Sequence, residues 1–535
     1  MSVNNLGTIL QSAAHSAPHR IQYSFLNRRG EISEQLNCLQ LYTQAENLAK
    51  RLRQFIGPQQ SVALLMLPEK EFVVSFWACL LAEIRPAPMS RQRGQTPADI
   101  VDQLTEKGIA AVLTKDSLRT RVENEVPAFS IAQLMERDPS NCQLSFSEVN
   151  SDEPAFIQFS SGSTRQPRGI VISHKNVLHN LACIHKAFAI GRSDAGLCWL
   201  PLHHDMGLIG HVLQPVFSGI QNYFMTPINF IGRPQSWLRN ISRYGVSISG
   251  APAFAYRLCT VSEKFRTREC LSGLDLSSWR LAYCGSEKID ADVLRVFAEQ
   301  WAGNGFKLSA FYPCYGLAES TLFVSGRQGI KRDIETGQVS VGKPAATVCI
   351  VNPNTGKFCP SGQCGEILIR SDSVAKGYFR SRVSTEATFD RILPGLQGNY
   401  MRSGDLGFLT EGELYISGRL KNVIKIRGRQ IQAEDLEASV LLGAQQDDVW
   451  LCAVLPVMAD GAEGLAVMVE TTAPDPDALN ARIRAAVSAH ADVLPACIVH
   501  VRRGRIPLTS SGKVRRSALA NLLDELTPNS IRSLS

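Results

Sequence analysis

Short apolar runs alternate along the chain with longer segments whose apolar residues recur every three or four positions. Ser61–Pro68 (SVALLMLP) reads as a buried strand and Glu69–Ala82 as the helix after it. Ala110–Thr114, Ala155–Ser160, Val246–Ser249 and Leu281–Cys284 predict further short strands, and Ala291–Trp301 (ADVLRVFAEQW) predicts a helix among them. Strands alternating with helices predict an α/β architecture with largely parallel sheets. From about Val341 the texture changes. Val348–Val351, Gly365–Arg370 and Glu413–Ser417 read as strands parted by turns such as 352–357 (NPNTGK), which predicts a small β-rich subdomain over about 341–419. Ala433–Leu442 as a helix, with Val449–Pro456 and Leu465–Glu470 as strands, predicts a small α+β unit. The boundary is expected near Arg419–Lys421. It divides a large N-terminal domain, residues 1–419, from a small, mobile C-terminal domain, residues 420–535.

Composition supports this division. The 535 residues exceed what one core usually serves. With 44% hydrophobic and 20% charged residues, the chain has the make-up of a folded protein rather than a disordered one. Its 56 basic and 49 acidic side chains give +7, too mild to call for nucleic acid. The longest apolar stretch, Phe72–Ala82 (FVVSFWACLLA), falls short of the ~20 residues of a membrane span. The start, MSVNNLGTIL, lacks the charged and apolar regions of a secretory signal. A cytoplasmic protein without integral membrane association is expected. Fourteen cysteines are scattered from Cys38 to Cys497 without a CxxC pair, so inert free thiols are the expectation rather than a zinc site.

Candidate chemistry begins after the strand-like AFIQF. Ser160–Gly169 reads SSGSTRQPRG. Glycine lets backbone approach a ligand closely, and successive N–H groups can cradle an anion. Hydroxyls donate to phosphate oxygens and guanidinium binds them bidentately. Ser160, Ser161, Gly162, Ser163, Thr164 and Arg168 are therefore candidate phosphate ligands. The loop is not a Walker A motif, since GxxxxGK[ST] is absent.

Four further motifs follow in order: Tyr315–Ser320 (YGLAES), Arg402–Leu409 (RSGDLGFL), Gly418–Gln432 (GRLKNVIKIRGRQIQ) and Pro507–Arg516 (PLTSSGKVRR). Together with the loop they resemble the signatures of the adenylate-forming superfamily of acyl-CoA synthetases, luciferases and adenylation domains. The resemblance spans roughly residues 20–520. Trp199–Gly210 (WLPLHHDMGLIG), Gly250–Cys259 (GAPAFAYRLC), Leu274–Glu287 (LDLSSWRLAYCGSE) and Phe311–Gly316 (FYPCYG) are most similar to the fatty acyl-AMP ligases. That resemblance implies ATP-dependent activation of a fatty acid to an acyl-adenylate, with release of pyrophosphate. It further implies acyl transfer to the phosphopantetheine thiol of a separate acyl carrier protein, in polyketide, lipopeptide or lipid synthesis.

The sequence departs from the family at two places. Many members carry a longer insertion, linked to rejecting CoA, where only Arg327–Val339 stands here. A medium- or long-chain fatty acyl-CoA ligase therefore stays open as the alternative. Arg165 and Arg168 also occupy positions where many relatives have Gly and Lys.

The resemblance assigns roles residue by residue. Lys513 bridges the carboxylate and the α-phosphate or ribose oxygens. Glu319 holds Mg²⁺ on the phosphates. Tyr315, with Gly316 behind it, stacks on adenine, and Gly285, Ser286 and Glu287 line it. Asp405 accepts from the ribose hydroxyls, and Arg419 contacts ribose or phosphate. His204 lies beside the substrate carboxylate or the tunnel mouth, and Lys421 is the hinge. Met225, Phe230, Trp237, Phe254 and Tyr256 are candidates for the acyl tunnel. Retention of Lys513, Glu319, Asp405 and Arg419 speaks against a non-catalytic binding protein. Residues 247–256 (SISGAPAFAY) lack the aspartate that amino-acid-activating relatives use. Charge is also local: Gly418–Gln432 and Arg502–Arg516 hold eleven basic residues and no acid, so the rest of the chain is net acidic. The basic stretches suit a nucleotide-phosphate site and a docking face for an acidic carrier protein.

Overall fold

The computed structural model describes residues 5–91, 95–139, 144, 149–159, 168–260, 273–426, 429–444, 449–459, 462–508, 514–527 and 531–533. The chain divides into two compact units. One comprises residues 1–160, 168–403 and 408–416, and the other residues 161–167, 404–407 and 417–535.

The larger unit is the α/β body that the alternating pattern predicts. Its eight-stranded sheet runs in the order Phe323–Gly326, Phe311–Gly316, Leu281–Cys284, Ile248–Ala251, Ala195–Cys198, Gln221–Phe224, Ile21–Leu26 and Ile32–Asn37. The six central strands pair in parallel and the two edge pairs are antiparallel. A second sheet, Arg85–Met89, Ser61–Leu65, Ala111–Leu113 and Ala128–Phe129, is parallel throughout. Both faces of such strands are covered, which is why SVALL is apolar at every position except its first. The helix Glu69–Leu81 is buried at every residue from Phe72 to Leu81, as its unbroken apolar run requires. Among the described residues no helix is long and apolar enough to cross a membrane. The β-rich texture after Val341 becomes a five-stranded sheet built on Thr347–Val351, Gly365–Arg370 and Asn399–Thr410.

Most boundaries lie where the pattern put them, with Leu281–Cys284 and Ala291–Trp301 unchanged. The strand expected at Val246–Ser249 runs instead from Ile248 to Ala251. Gly250 reads as a strand breaker. Here its missing side chain admits Tyr283 of the neighbouring strand, whose carbonyl oxygen would lie 2.2 Å from any Cβ.

The smaller unit has a four-stranded sheet in the order Cys497–Val501, Ala462–Thr471, Val449–Ala459 and Ile531–Ser533. The two-residue period of Val449–Ala459 sorts its side chains between two cores. Cys452 and Val454 pack with Leu436, Val440, Ile483 and Val487 of the helices Ala433–Gly443 and Pro476–Ala491. Ala453 and Leu455 pack with Leu519 and Leu523 of the helix Arg516–Leu526. A strand covered on both faces by helices needs both sets apolar, hence the run WLCAVLPV.

Candidate functional site

Two parallel strands of the larger unit, Leu281–Cys284 and Phe311–Gly316, end side by side. Gly285 continues the first. A Cβ on it would lie 2.7 Å from the Cys314 carbonyl oxygen and 2.9 Å from its sulfur, so only glycine allows this approach. Ser286 follows with φ +72°, a left-handed conformation that turns the chain sharply. Ser286 and Glu287 are exposed, and Glu287 Oε1 accepts a 2.8 Å hydrogen bond from the Phe254 amide. Tyr315 is buried at the end of its strand. Gly316 makes the hairpin into Phe323–Gly326 possible, since a Cβ there would lie 1.8 Å from the Leu322 carbonyl oxygen.

Glu319 sits on the turn after Tyr315, and that turn is fastened from several directions. Thr321 adopts φ +66° and donates through Oγ1 to the Ser373 carbonyl at 2.6 Å. The fully buried Asn180, on helix His174–Ala187, accepts from the Phe323 amide at 3.0 Å and donates to the Phe323 carbonyl at 2.9 Å. A strained turn held by buried side chains keeps its carboxylate in one place. Tyr378 donates to Glu319 Oε1 at 2.9 Å. Burial and the Glu319 charge push the Tyr378 hydroxyl up to about 12, so it stays a donor at neutral pH. Arg168 lies over the Tyr378 ring at 5.2 Å. Tyr378, 59 residues beyond Glu319, carries no motif signal, and only the fold brings it to the site. The single carboxylate of Glu319 is the kind of hard oxygen ligand that Mg²⁺ takes together with substrate phosphates.

A narrow pocket joins these strand ends to an apolar interior. Gly285, Ser286, Tyr315 and Gly316 share its wall with Ile184, Phe188, Ile190, Ile220, Ile248 and Phe323. Gly210 and His211 line it from the π-helical segment Leu208–Leu213, a geometry often found at functional sites. A Cβ on Gly210 would meet nothing within 4 Å. His211 is satisfied on both sides: Nδ1 bonds Asn222 Oδ1 at 2.8 Å and Nε2 bonds the Tyr283 hydroxyl at 2.6 Å. Burial pushes it down to about 4, so the ring is neutral and Tyr283 donates to it.

The five residues expected to form an acyl tunnel do not line this pocket. Phe230, Trp237 and Tyr256 are fully buried in an aromatic cluster with Trp199 and Trp279. Phe254 is exposed, and Met225 lines a second cleft. That cleft, about 670 Å³, is walled by Leu64, Met66, Glu69, Phe72, Leu202 and His203 among others. Burial and the neighbouring His204 push His203 well down, and its buried Nε2 has no partner among the described residues. The His204 ring lies tilted against that of His203, centroids 4.5 Å apart, and Asp205 and Met206 line the narrow pocket. The HHDM segment thus contributes to both cavities.

In the smaller unit, Asp405 is buried and pairs with Arg419, Nε to Oδ1, at 3.0 Å. Lys421 is exposed on the 3₁₀ turn Leu420–Asn422. Lys513 and the loop residues Ser160, Ser161, Gly162, Ser163 and Thr164 lie outside the described residues.

Residues 10–379 match the AMP-binding enzyme family. The chain is 32% identical to the medium-chain-fatty-acid–[acyl-carrier-protein] ligase JamA of Moorena producens, over 95% of this chain and 93% of that protein. It is 31% identical to the 4-hydroxyphenylalkanoate adenylyltransferase of Mycobacterium tuberculosis, over 97% of this chain and 91% of that protein. A structure from work on fatty acyl-adenylate ligases of E. coli and L. pneumophila superposes with a TM-score of 0.86 at 29% identity, covering 98% of both chains. The L. pneumophila fatty acyl-adenylate ligase in complex with acyl adenylate and pyrophosphate superposes at 0.74 and 32% identity, covering 98% of this chain and 96% of that one.

Proposed function

Since the chain belongs to the AMP-binding enzyme family, we propose that it activates a fatty acid with ATP and delivers the acyl group to a carrier protein. The observation that carries this reading is the pocket of the larger unit. Its wall passes from Gly285, Ser286, Tyr315 and Gly316 to Ile184, Phe188 and Ile220. A polar strand end suits a nucleotide and an apolar interior suits an alkyl chain.

In the first step a carboxylate oxygen bonds to the α-phosphorus of ATP and the bond to pyrophosphate breaks. Two anions meet, so positive charge and positioning govern the rate. Lys513 supplies that charge at the carboxylate and α-phosphate. Arg168 and the hydroxyls of Ser160–Thr164 hold the phosphates. Glu319, oriented by Tyr378, would hold Mg²⁺, which neutralises phosphate charge when bound. Tyr315 and Gly285–Glu287 take the adenine, and Asp405 with Arg419 takes the ribose. His204 sits beside the substrate carboxylate and needs no proton transfer. In the second step the carrier thiolate attacks the acyl carbonyl, the bond to AMP breaks, and the thiol proton passes to solvent. Lys421 is the hinge at which the C-terminal domain, residues 420–535, changes orientation between the steps. The exposed Arg502, Arg503 and Arg505, with Arg503 over Trp450 at 5.3 Å, present a basic face to an acidic carrier.

The deciding assay supplies ATP, Mg²⁺, C6 to C18 acids, CoA and a holo acyl carrier protein, and identifies products by mass. Acyl-adenylate and acyl-carrier protein are expected, with carrier transfer weakened by Arg502→Glu. Rapid acyl-CoA formation with no carrier acylation would replace this reading with that of a CoA ligase. No acyl-adenylate from any acid would sink both.

A further inference from the structure

The pocket of the larger unit runs along its sheet from the carboxyl ends of the strands to their amino ends. Asn222 pairs in register with Gly196, Gly196 with Ile248, and Ile248 with Leu281, so these four share one level. Gly285 lies four residues beyond Leu281 toward the carboxyl ends, and Ile220 two residues before Asn222 toward the amino ends. At about 3.3 Å per strand residue, the two ends of the wall lie roughly 20 Å apart along the strands. Gln214 belongs to the amino end. It opens the short helix Gln214–Ser218, and the Ile220 amide donates to the Pro215 carbonyl at 3.0 Å.

The polar side chains of this wall differ in one respect. His211, Asn222 and Tyr283 bond one another, and Asn222 Nδ2 donates to the Tyr223 carbonyl at 3.1 Å. Gln214 is 2% exposed, and its Nε2 donates to Ser218 Oγ at 2.7 Å. His185 Nδ1 holds the same Ser218 hydroxyl at 2.9 Å. The amide is therefore fixed on one side. On the other, Gln214 Oε1 is buried and has no hydrogen-bond partner among the described residues. The wall it shares with Ile190, Pro215, Ile220 and Ile248 is apolar, and these residues offer it no side-chain donor.

An amide oxygen kept from water without a donor costs more than a made hydrogen bond returns, so what fills the pocket is selected for completing it. A methyl terminus has no donor, whereas a hydroxyl has one. We propose that Gln214 is a specificity-determining residue, and that the preferred acids carry a hydroxyl at the end remote from the carboxylate, which donates to Gln214 Oε1. This rests on the reading of the pocket as the acyl site and narrows its substrates to terminally hydroxylated acids. The contact forms far from the reacting atoms and is equally strong in the ground and transition states, so it acts on KM rather than kcat.

The test uses the full-length protein with ATP, Mg²⁺ and three series of C8 to C18 acids, ending in methyl, hydroxyl or methoxy. Acyl-adenylate is identified by mass and its formation followed by pyrophosphate release. At the chain length that reaches Gln214, the hydroxyl-terminated acid should show a KM about tenfold below that of its methyl counterpart, at nearly equal kcat. The methoxy acid, which accepts but does not donate, should gain nothing. Gln214→Met keeps the side-chain length without the amide, and should bring the two KM values together by raising one and lowering the other. Should that variant not fold, Gln214→Asn, which withdraws the amide by one methylene, should cut the preference to about threefold. A hydroxyl-terminated acid no better than its methyl counterpart at every length overturns the proposal. So does an advantage equal at all lengths, since a fixed acceptor serves one length, or an advantage that survives substitution of Gln214. Adenylate formed from the methyl-terminated acids in any of these cases leaves the acyl reading intact. No adenylate from any series removes that reading and this inference together.

Discussion

The two units hold their functional side chains by different means. In the larger unit, backbone does the holding. Gly285 and Gly316 allow contacts that no other residue permits, Ser286 and Thr321 are set in left-handed conformations, and Asn180 ties down the Glu319 turn. In the smaller unit, charge does it. Asp405 is paired with Arg419 and Arg516 with Glu434, and Arg516 also donates to the buried Glu437, which keeps its proton at neutral pH. Contacts fixed by steric exclusion are not screened by salt and do not themselves titrate, although buried rings beside them can. A site fixed by ion pairs remains adjustable, because each pair can be re-formed with another partner. Under the proposed function, that division suits a pocket that keeps one shape through two reactions and a lysine needed in only one of them.

The largest expected effect breaks the smaller unit's part alone. Lys513→Ala should lower acyl-adenylate formation by a hundredfold or more, on the order of losing one charge-stabilising donor. Supplied acyl-adenylate should still be consumed, and equal loss of both half-reactions would end the assignment. The next effect belongs to the larger unit. Gly210→Trp places an indole into open pocket space. Activity with C12 to C18 acids should fall roughly 10–100-fold, the scale of 1–3 kcal/mol of overpacking, while the shortest acids that react are affected less. Uniform loss across all chain lengths would argue that this pocket does not seat the alkyl chain.

The smallest effect contrasts the units by pH. His174 accepts from the Leu6 amide at 3.2 Å and His211 from Tyr283, and burial pushes both rings down from 6.5 to about 4. Between pH 4 and 6.5 the unfolded chain binds more protons, so the larger unit loses stability as pH falls, by up to about 1.4 kcal/mol per pH unit per ring. Glu437 has the opposite sign. Burial pushes it from 4.5 up to about 8, against the pull of Arg516, with Glu434, Asp435 and Cys452 also facing it. The folded state holds the extra proton between pH 4.5 and 8, so the smaller unit loses stability as pH rises through that window. Hydrogen exchange resolved by unit should give slopes of opposite sign, and Glu437→Gln should flatten only the second. Parallel slopes would mean the contrast is wrong.

Much of this molecule is legible in its sequence. Periodicity of two and of about three and a half reports burial, and burial is what the strands Leu281–Cys284 and Gly365–Arg370 and the helix Ala291–Trp301 have in common. Motifs such as YGLAES carried the family because their residues are neighbours along the chain. What periodicity cannot report is which buried surface a side chain meets. Phe230, Trp237 and Tyr256 pack on Trp199 and Trp279, while the equally apolar Ile184, Phe188 and Ile220 line the pocket. Tyr378 beside Glu319 and Glu437 beside Arg516 are separated by 59 and 79 residues, and nothing local marks them. Short-range spacing alone sets the elements, the family and the candidate chemistry, so these are readable from the residues in order. Which apolar residues line a cavity, and which distant side chains meet Glu319 and Arg516, depends on how the chain closes on itself, and that is set by the fold.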